Sequence, residues 1–317
     1  MLAQEFRTKP VRHLLSLLDV GPENVSRLVD LSLELAENGS RTQPLKGKIV
    51  GIYFRRSSTR TRTAFTAATI KLGGTPIAYG PNDLQLSTGE TIEDTARVLS
   101  QYLDALVVRT NDSIDEMRAF ASQPNMSIVN AMSDTEHPTQ ALADLVTIKD
   151  VFGRLNGIKI LYLGEGNNTA SALAYAVSMI EGMQLLLVTP EGYGLPSSVI
   201  ETANQLGQER GSVVEQHHDP ANLPRGFDVV YTTRWQTMGV SKPDPNWREK
   251  FLPYTVSEEM MKRVSKNGTV FMHDLPAVRG DDVVNEVLDG SQSVAFLQAK
   301  HKMTSAMGVL AWCTAVE

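Results

Sequence analysis

Lys48-Ile49-Val50-Gly51-Ile52-Tyr53-Phe54, followed closely by Ser57-Ser58-Thr59-Arg60-Thr61-Arg62, is the stretch on which the fold turns. The first seven residues form an apolar run of strand length, and the residues from about Thr61 onward suit a helix. A strand that feeds a helix through such a turn is a βα unit. The turn also builds an anion site, because backbone N–H groups at a helix start, hydroxyls and guanidiniums converge on one small volume. A compact dianion such as phosphate fits that chemistry. The competing reading is a solvated basic turn, and a solvated face is the expected role of at least one of Arg55 and Arg56.

Outward from this unit the pattern alternates. Upstream, Pro22 to Ala36 reads as an amphipathic helix closed by Asn38-Gly39. Downstream, Gly73-Gly74 ends the helix, and Thr75 to Tyr79, a helix from Thr91 to Tyr102 and a strand at Ala105 to Val108 continue the rhythm. After Phe152-Gly153 it restarts with strand Ile158 to Leu163, helix Ala170 to Met179 and strand Gln184 to Val188, then Asp228 to Tyr231 and Thr269 to Met272. Such alternation predicts an α/β fold of two doubly wound parallel-sheet domains. Ligands of open α/β sheets sit outside the carboxyl ends of strands, so the chemistry is expected there, in the cleft between the halves.

Composition narrows the function. The 317 residues carry 30 Lys and Arg against 36 Asp and Glu, a formal net charge of −6, so there is no global basic field for nucleic acid or an anionic membrane. A substrate anion must be gripped locally. The lone Cys313 cannot form an internal disulfide, and no Cys/His spacing suggests a metal site. The first residues lack a signal pattern, and no apolar run approaches the roughly 20 residues of a membrane span. A cytoplasmic protein with no cofactor is expected.

Other polar residues stand at predicted strand ends. Arg109 closes the Ala105 to Val108 strand. The short apolar stretch Met126 to Val129 leads to His137-Pro138-Thr139-Gln140, where a helix starting at Pro138 sets His137 and Gln140 on one face. Gly164-Glu165-Gly166 is not a dinucleotide fingerprint, since the third glycine of that pattern falls at Thr169.

Ser58-Thr59-Arg60-Thr61-Arg62, His137-Pro138-Thr139-Gln140 and His273-Asp274-Leu275-Pro276, in this order, resemble the aspartate/ornithine carbamoyltransferase family nearly end to end. Asn82-Asp83-Leu84-Gln85-Leu86, Gly89-Glu90-Thr91, Gly164 to Asn168, Met238-Gly239 and Leu275-Pro276-Ala277 are similar to its ornithine branch. The resemblance implies carbamoyl phosphate as donor, bound by Ser58, Thr59, Arg60, Thr61, Gln85, Arg109, His137, Gln140 and Lys302. Within that set it implies catalytic roles for Arg60, Thr61, Arg109, His137 and Gln140. It implies acceptor contacts from Asn167, Asn168, Thr233, Arg234, Gln236, Thr237, Met238, Asp274 and Leu275. It further implies a donor domain of residues 1–148 with the returning C-terminal helix (303–317), an acceptor domain of residues 149–302, and a homotrimer or multiple of trimers in which the Pro81 to Thr91 loop reaches a neighbour's site.

The chain departs from the ornithine branch where the acceptor is held. That branch places an aspartate for the α-ammonium where Thr233 stands, and a cysteine where Asp274 stands. A carboxylate has appeared beside the place from which one was lost, so Asp274 is expected to take over the ammonium. Thr233-Arg234 with Gln236 is similar to the stretch with which the aspartate branch holds carboxylates, although Gly80 to Glu90 lacks that branch's lysine. Lys302 stands for an arginine, keeping charge but losing the bidentate fork. The implied activity is carbamoyl transfer to the side-chain amine of ornithine or a related diamino acid such as 2,3-diaminopropionate. The alternatives are an aspartate carbamoyltransferase-like activity and a non-catalytic ligand-binding paralogue.

Overall fold

The computed structural model describes residues 11–236 and 241–314. Its strands are β1 (Ile49–Phe54), β2 (Thr75–Tyr79), β3 (Ala105–Arg109), β4 (Ser127–Met132), β5 (Lys159–Leu163), β6 (Gln184–Val188), β7 (Val213–His217), β8 (Phe227–Thr232) and β9 (Ser265–His273). Its helices are α1 (Leu17–Val20), α2 (Pro22–Thr42), α3 (Thr59–Lys71), α4 (Ile92–Leu99), α5 (Ile114–Phe120), α6 (Pro138–Phe152), α7 (Asn168–Ser178), α8 (Ser197–Gly207), α9 (Trp247–Phe251), α10 (Glu258–Val264), α11 (Asn285–Leu288) and α12 (Ala295–Thr314).

Two parallel sheets result, as the alternation predicts. The first runs β2-β1-β3-β4 and the second β7-β6-β5-β8-β9. β3, β4 and β8 are buried along their whole length, as strands with helices on both faces must be. In each sheet the winding direction reverses once. In the first it reverses between β1 and β3, whose ends pair Phe54 with Arg109. In the second it reverses between β5 and β8, whose ends pair Leu163 with Thr232. These are topological switch points, where diverging loops open a crevice. The Ser58 turn follows β1, and the Gly164 to Asn168 turn follows β5.

Several element bounds differ from the sequence reading, β9 beginning at Ser265 rather than Thr269 and α4 ending at Leu99 rather than Tyr102 among them, and three differences bear on the site or its packing. α2 does not stop at Asn38-Gly39 but continues to Thr42, ending where Gln43 takes a left-handed φ of 45°. Gly39 serves close packing instead: a Cβ there would lie 2.7 Å from Met307 Cε and 2.8 Å from Leu72 Cδ2. α3 begins at Thr59 rather than Thr61, because extended Ser58 forms its N-cap. α12 begins at Ala295 rather than Met303. Gln298, His301 and Lys302 disguised its first turns as a polar loop, yet all three are buried. α12 packs against α2, α3 and α6, all from the first half of the chain. No helix among the described residues is long and apolar enough to cross a membrane.

Candidate active site

The donor side of the pocket is built at the carboxyl end of the first sheet. Ser58 caps α3 from an extended backbone without using its side chain on the helix, so its hydroxyl remains for the pocket that it lines. Arg60 and Thr61 follow in the first turn of α3, where backbone N–H groups point outward. Arg109, the last residue of β3, reaches across: its Nη1 donates to Thr61 Oγ1 at 3.1 Å and lies 3.5 Å from His137 Nε2. His137 is the N-cap of α6, with Pro138 opening the helix as the sequence predicts. Its Nδ1 lies 3.3 Å from Thr139 Oγ1.

Charge in this corner is poorly solvated. Burial lowers the Arg109 guanidinium to about 10, with Asp274 holding it up and Arg60 pressing it down. Burial also lowers Arg60. His137 is pushed well below its ordinary value by burial and by the neighbouring Arg109 and Lys302, so its imidazole is neutral at physiological pH. A neutral ring beside Arg109 accepts at Nε2 and carries its proton on Nδ1. Buried Lys302 is lowered to about 8, chiefly by desolvation. Three cations in one small space, with no carboxylate among the described residues bonded to Arg109 or Lys302, are arranged to receive an anion.

The acceptor side comes from the second sheet. Thr232 pairs with His273 across β8 and β9, so Thr233 and Asp274 emerge side by side. Thr233 Oγ1 donates to Asp274 Oδ1 at 2.8 Å, and Thr169 Oγ1 donates to Oδ2 at 3.1 Å. Behind Asp274 the turn is pinned by a buried pair, His273 Nε2 donating to Asp282 Oδ2 at 2.5 Å, while His273 Nδ1 accepts from Leu275 N at 2.8 Å. Arg234 and Gln236 line the same pocket from the segment after β8, and Leu275 from the turn after Asp274. Asn167 and Asn168 line it as well. Asn167 Oδ1 caps α7 by accepting from Thr169 N and Ala170 N, and Asn168 Nδ2 donates to Ser133 O at 2.8 Å. Gly166 is obligatory there, since a Cβ would lie 2.4 Å from Leu195 N.

One pocket therefore gathers Ser58, Arg60, Thr61, Arg109, His137 and Lys302 with the acceptor-side residues above. Some expected residues stand elsewhere. Thr59 is exposed at the start of α3 and does not line the pocket. Gln85 is exposed in a short 3-10 turn, its Oε1 accepting from Thr88 Oγ1. Gln140 lies just behind Lys302, whose Nζ donates to Gln140 Oε1. Thr237 and Met238 fall outside the described residues. Arg55 is turned away, pairing with Asp112 and Glu116.

The sequence reading missed Thr169, which shares Asp274, and it missed Asp144 and Gln298, which lie beneath Gln140 and Lys302. A signal existed. Asp144 follows Gln140 by four residues and Gln298 precedes Lys302 by four, so each shares a helix face with a candidate.

The paired switch points and the anion-collecting seam between two parallel sheets define an α/β group-transfer enzyme. Residues 12–150 match the family model described as aspartate/ornithine carbamoyltransferase, carbamoyl-P binding domain, and residues 156–313 match its Asp/Orn binding domain. The chain is 38% identical over 304 residues to the ornithine carbamoyltransferase of Anoxybacillus flavithermus, covering 94% of this chain and 95% of the relative. It is 39% identical over 307 residues to that of Hyperthermus butylicus, covering 95% and 96%. The ornithine carbamoyltransferase structure from Pyrococcus furiosus superposes with a TM-score of 0.90 at 35% identity, over 97% of this chain and 99% of that one. The chain belongs to the aspartate/ornithine carbamoyltransferase family, near its ornithine branch, and is a carbamoyltransferase.

Proposed function

We propose that the protein transfers the carbamoyl group of carbamoyl phosphate to the side-chain amine of a diamino acid, giving a ureido amino acid and phosphate. The observation that carries this reading is the convergence of Thr61, Arg109 and His137 in a pocket that also holds Asp274. Attack of the amine nitrogen on the carbonyl carbon places negative charge on the carbonyl oxygen. Donors fixed by Thr61 and Arg109 stabilise that oxyanion, and His137 supports it through Arg109, whose Nη1 faces its Nε2. The C–O bond to phosphate then breaks, and phosphate leaves with the electron pair into the Ser58, Arg60 and Lys302 corner. The proton lost by the amine goes to the departing phosphate, so no protein nucleophile is required.

Ornithine is the acceptor suggested by the relatives' names. A shorter diamino acid, 2,3-diaminopropionate, is favoured by one observation: among the described residues the carboxylate that lines the pocket is Asp274, and its charge is felt by Arg60, Arg109 and Lys302. An ammonium paired with it lies near the reacting carbonyl, which suits a short side chain. Thr233 supports this role by orienting Asp274 rather than by meeting the ammonium itself. Arg234 and Gln236, with Asn167 and Asn168, Thr237, Met238 and Leu275, complete the acceptor side, the α-carboxylate falling to the polar members.

The division of labour follows the two halves: residues 1–148 with 303–317 hold the donor, and residues 149–302 hold the acceptor. The assembly is a homotrimer or multiple of trimers, which gives exposed Gln85 a neighbouring site to complete, and the enzyme works in the cytoplasm. Phosphate release from carbamoyl phosphate with ornithine, 2,4-diaminobutyrate, 2,3-diaminopropionate and aspartate in turn, with product masses, tests the reading. Turnover of a diamino acid supports it; turnover of aspartate alone, or silence with every amine, overturns it.

A further inference from the structure

Beneath the pocket lies a buried polar cluster for which the reaction as described has no use. Asp144, on α6, is fully buried with no cation among the described residues bonded to it. Its Oδ1 accepts from Gln140 Nε2 and from Gln298 Nε2, each at 2.7 Å, and its Oδ2 accepts from Tyr231 OH at 3.2 Å. Gln298, on α12, also donates to Tyr231 OH at 3.1 Å, and its Oε1 accepts from His273 N at 2.8 Å. A carboxylate buried with only neutral donors is costly, and burial raises Asp144 to about 7. An Asn or Gln here would fill similar space at less cost.

What the ionised carboxylate, favoured by the Gln140 and Gln298 amide protons and the charge of Lys302, does that an amide cannot is present acceptors alone. Gln140 stands between Asp144 and Lys302. An ammonium has only donors and a carboxylate only acceptors, so the amide of Gln140 has one satisfied orientation, nitrogen toward Asp144 and oxygen toward Lys302 and the pocket. The two ends enforce the same choice. The carbamoyl group differs from other acyl groups in its NH2, a donor that needs an acceptor from the protein. On the donor side of the pocket Arg60, Arg109 and Lys302 offer only donors, and the acceptor atoms of Thr61 and His137 already face Arg109.

We propose that Asp144 is a positioning residue that fixes Gln140 with its amide oxygen toward the pocket, so that the site recognises the carbamoyl NH2 and selects carbamoyl phosphate over acyl phosphates lacking that donor. This rests on carbamoyl phosphate being the donor substrate. Through Gln298 and the His273 backbone, the same carboxylate is also tied to the turn that carries Asp274.

The test compares KM for carbamoyl phosphate with Ki for acetyl phosphate, which has CH3 in place of NH2, in the wild type, Asp144→Asn, Gln140→Glu, and the double variant Gln140→Glu/Asp144→Asn. Asparagine can donate to Gln140 and let its amide turn over. We expect KM for carbamoyl phosphate to rise about tenfold in Asp144→Asn, while Ki for acetyl phosphate changes less than about twofold. Gln140→Glu sets two carboxylates against each other and weakens carbamoyl phosphate. The double variant keeps the charge count and again shows oxygen to the pocket, so it regains most of the preference. Equal weakening of both ligands, an unchanged preference, or a double variant worse than either single one overturns the assignment. Should Asp144→Asn not fold, Gln140→Glu and the double variant make the same test. A wild type that releases no phosphate from carbamoyl phosphate defeats the functional reading and this inference together; a wild type that turns over, with preference untouched by these variants, defeats the role of Asp144 alone.

Discussion

The two sides of the pocket are held in different ways. On the donor side every group but Lys302, which comes from the middle of α12, sits on a strand end or at a helix start: Ser58, Arg60 and Thr61 after β1, Arg109 at the end of β3, His137 at the start of α6. On the acceptor side the central group, Asp274, depends on hydroxyls from two other segments, Thr169 on α7 and Thr233 after β8. Local geometry can fix an anion site, because backbone N–H groups and a cap already point one way. A counter-ion for an ammonium has no such backbone template and must be oriented by side chains from elsewhere. Thr233 and Asp274 meet on the acceptor side only because they follow the paired ends of β8 and β9.

Arg109→Met makes the largest break in this comparison. It removes the cation that contacts Thr61 and faces His137, and kcat should fall on the order of 10²–10³-fold with little change in acceptor KM. Asp274→Asn attacks the other side. It should raise acceptor KM by about 10–100-fold, the worth of one lost charged hydrogen bond, while leaving the donor KM within a few-fold. Equal losses for both substrates would remove Asp274 from the acceptor's ammonium. Thr233→Ala, which deletes one of two hydroxyls on that carboxylate, should show the same pattern at only a few-fold.

Acidity separates the sides further. Lys302 loses its proton as pH rises through about 8, so kcat/KM for carbamoyl phosphate should fall above that pH. Over the same range kcat should rise, because the bound amine, with an ordinary value of about 10, is increasingly neutral. Lys302→Met should flatten the fall and leave the rise, and pH profiles of both parameters would detect either failure. The smallest effect on turnover is expected at the scaffold. Gly308 lets α12 lie against α2, and a Cβ would meet Ser32 Oγ at 2.1 Å and Leu28 O at 3.0 Å. Gly308→Ala should cost about 1–3 kcal/mol of stability in denaturant titration, with activity per folded molecule almost unchanged.

Much of this arrangement was legible in the chain, and the residues show why. The strands that frame the switch points are short apolar runs between turns, and the donor residues follow them within a few positions, so period and motif place both at once. The misread elements were those whose role is set by a distant partner. Gly39 signals a helix stop by its own chemistry, yet Met307 and Leu72 make it a contact. Lys302 signals exposure by its own charge, yet Gln140 and the neighbouring carboxylates keep it buried.

The sequence by itself determined the parallel α/β order, the turn at Ser58 to Arg62 that opens α3, and the residue types, Thr233 and Asp274, that meet on the acceptor side. These depend on local period, local capping and residue type, which are properties of contiguous chain. Only the tertiary structure decided that Thr169 and Thr233 share Asp274, and that Asp144 and Gln298 stand under Gln140 and Lys302. The Thr169–Asp274, Thr233–Asp274 and Gln298–Asp144 pairings join residues far apart in the chain, and the start of α7, the pairing of β8 with β9 and the packing of α12 against α6 bring them within hydrogen-bonding distance.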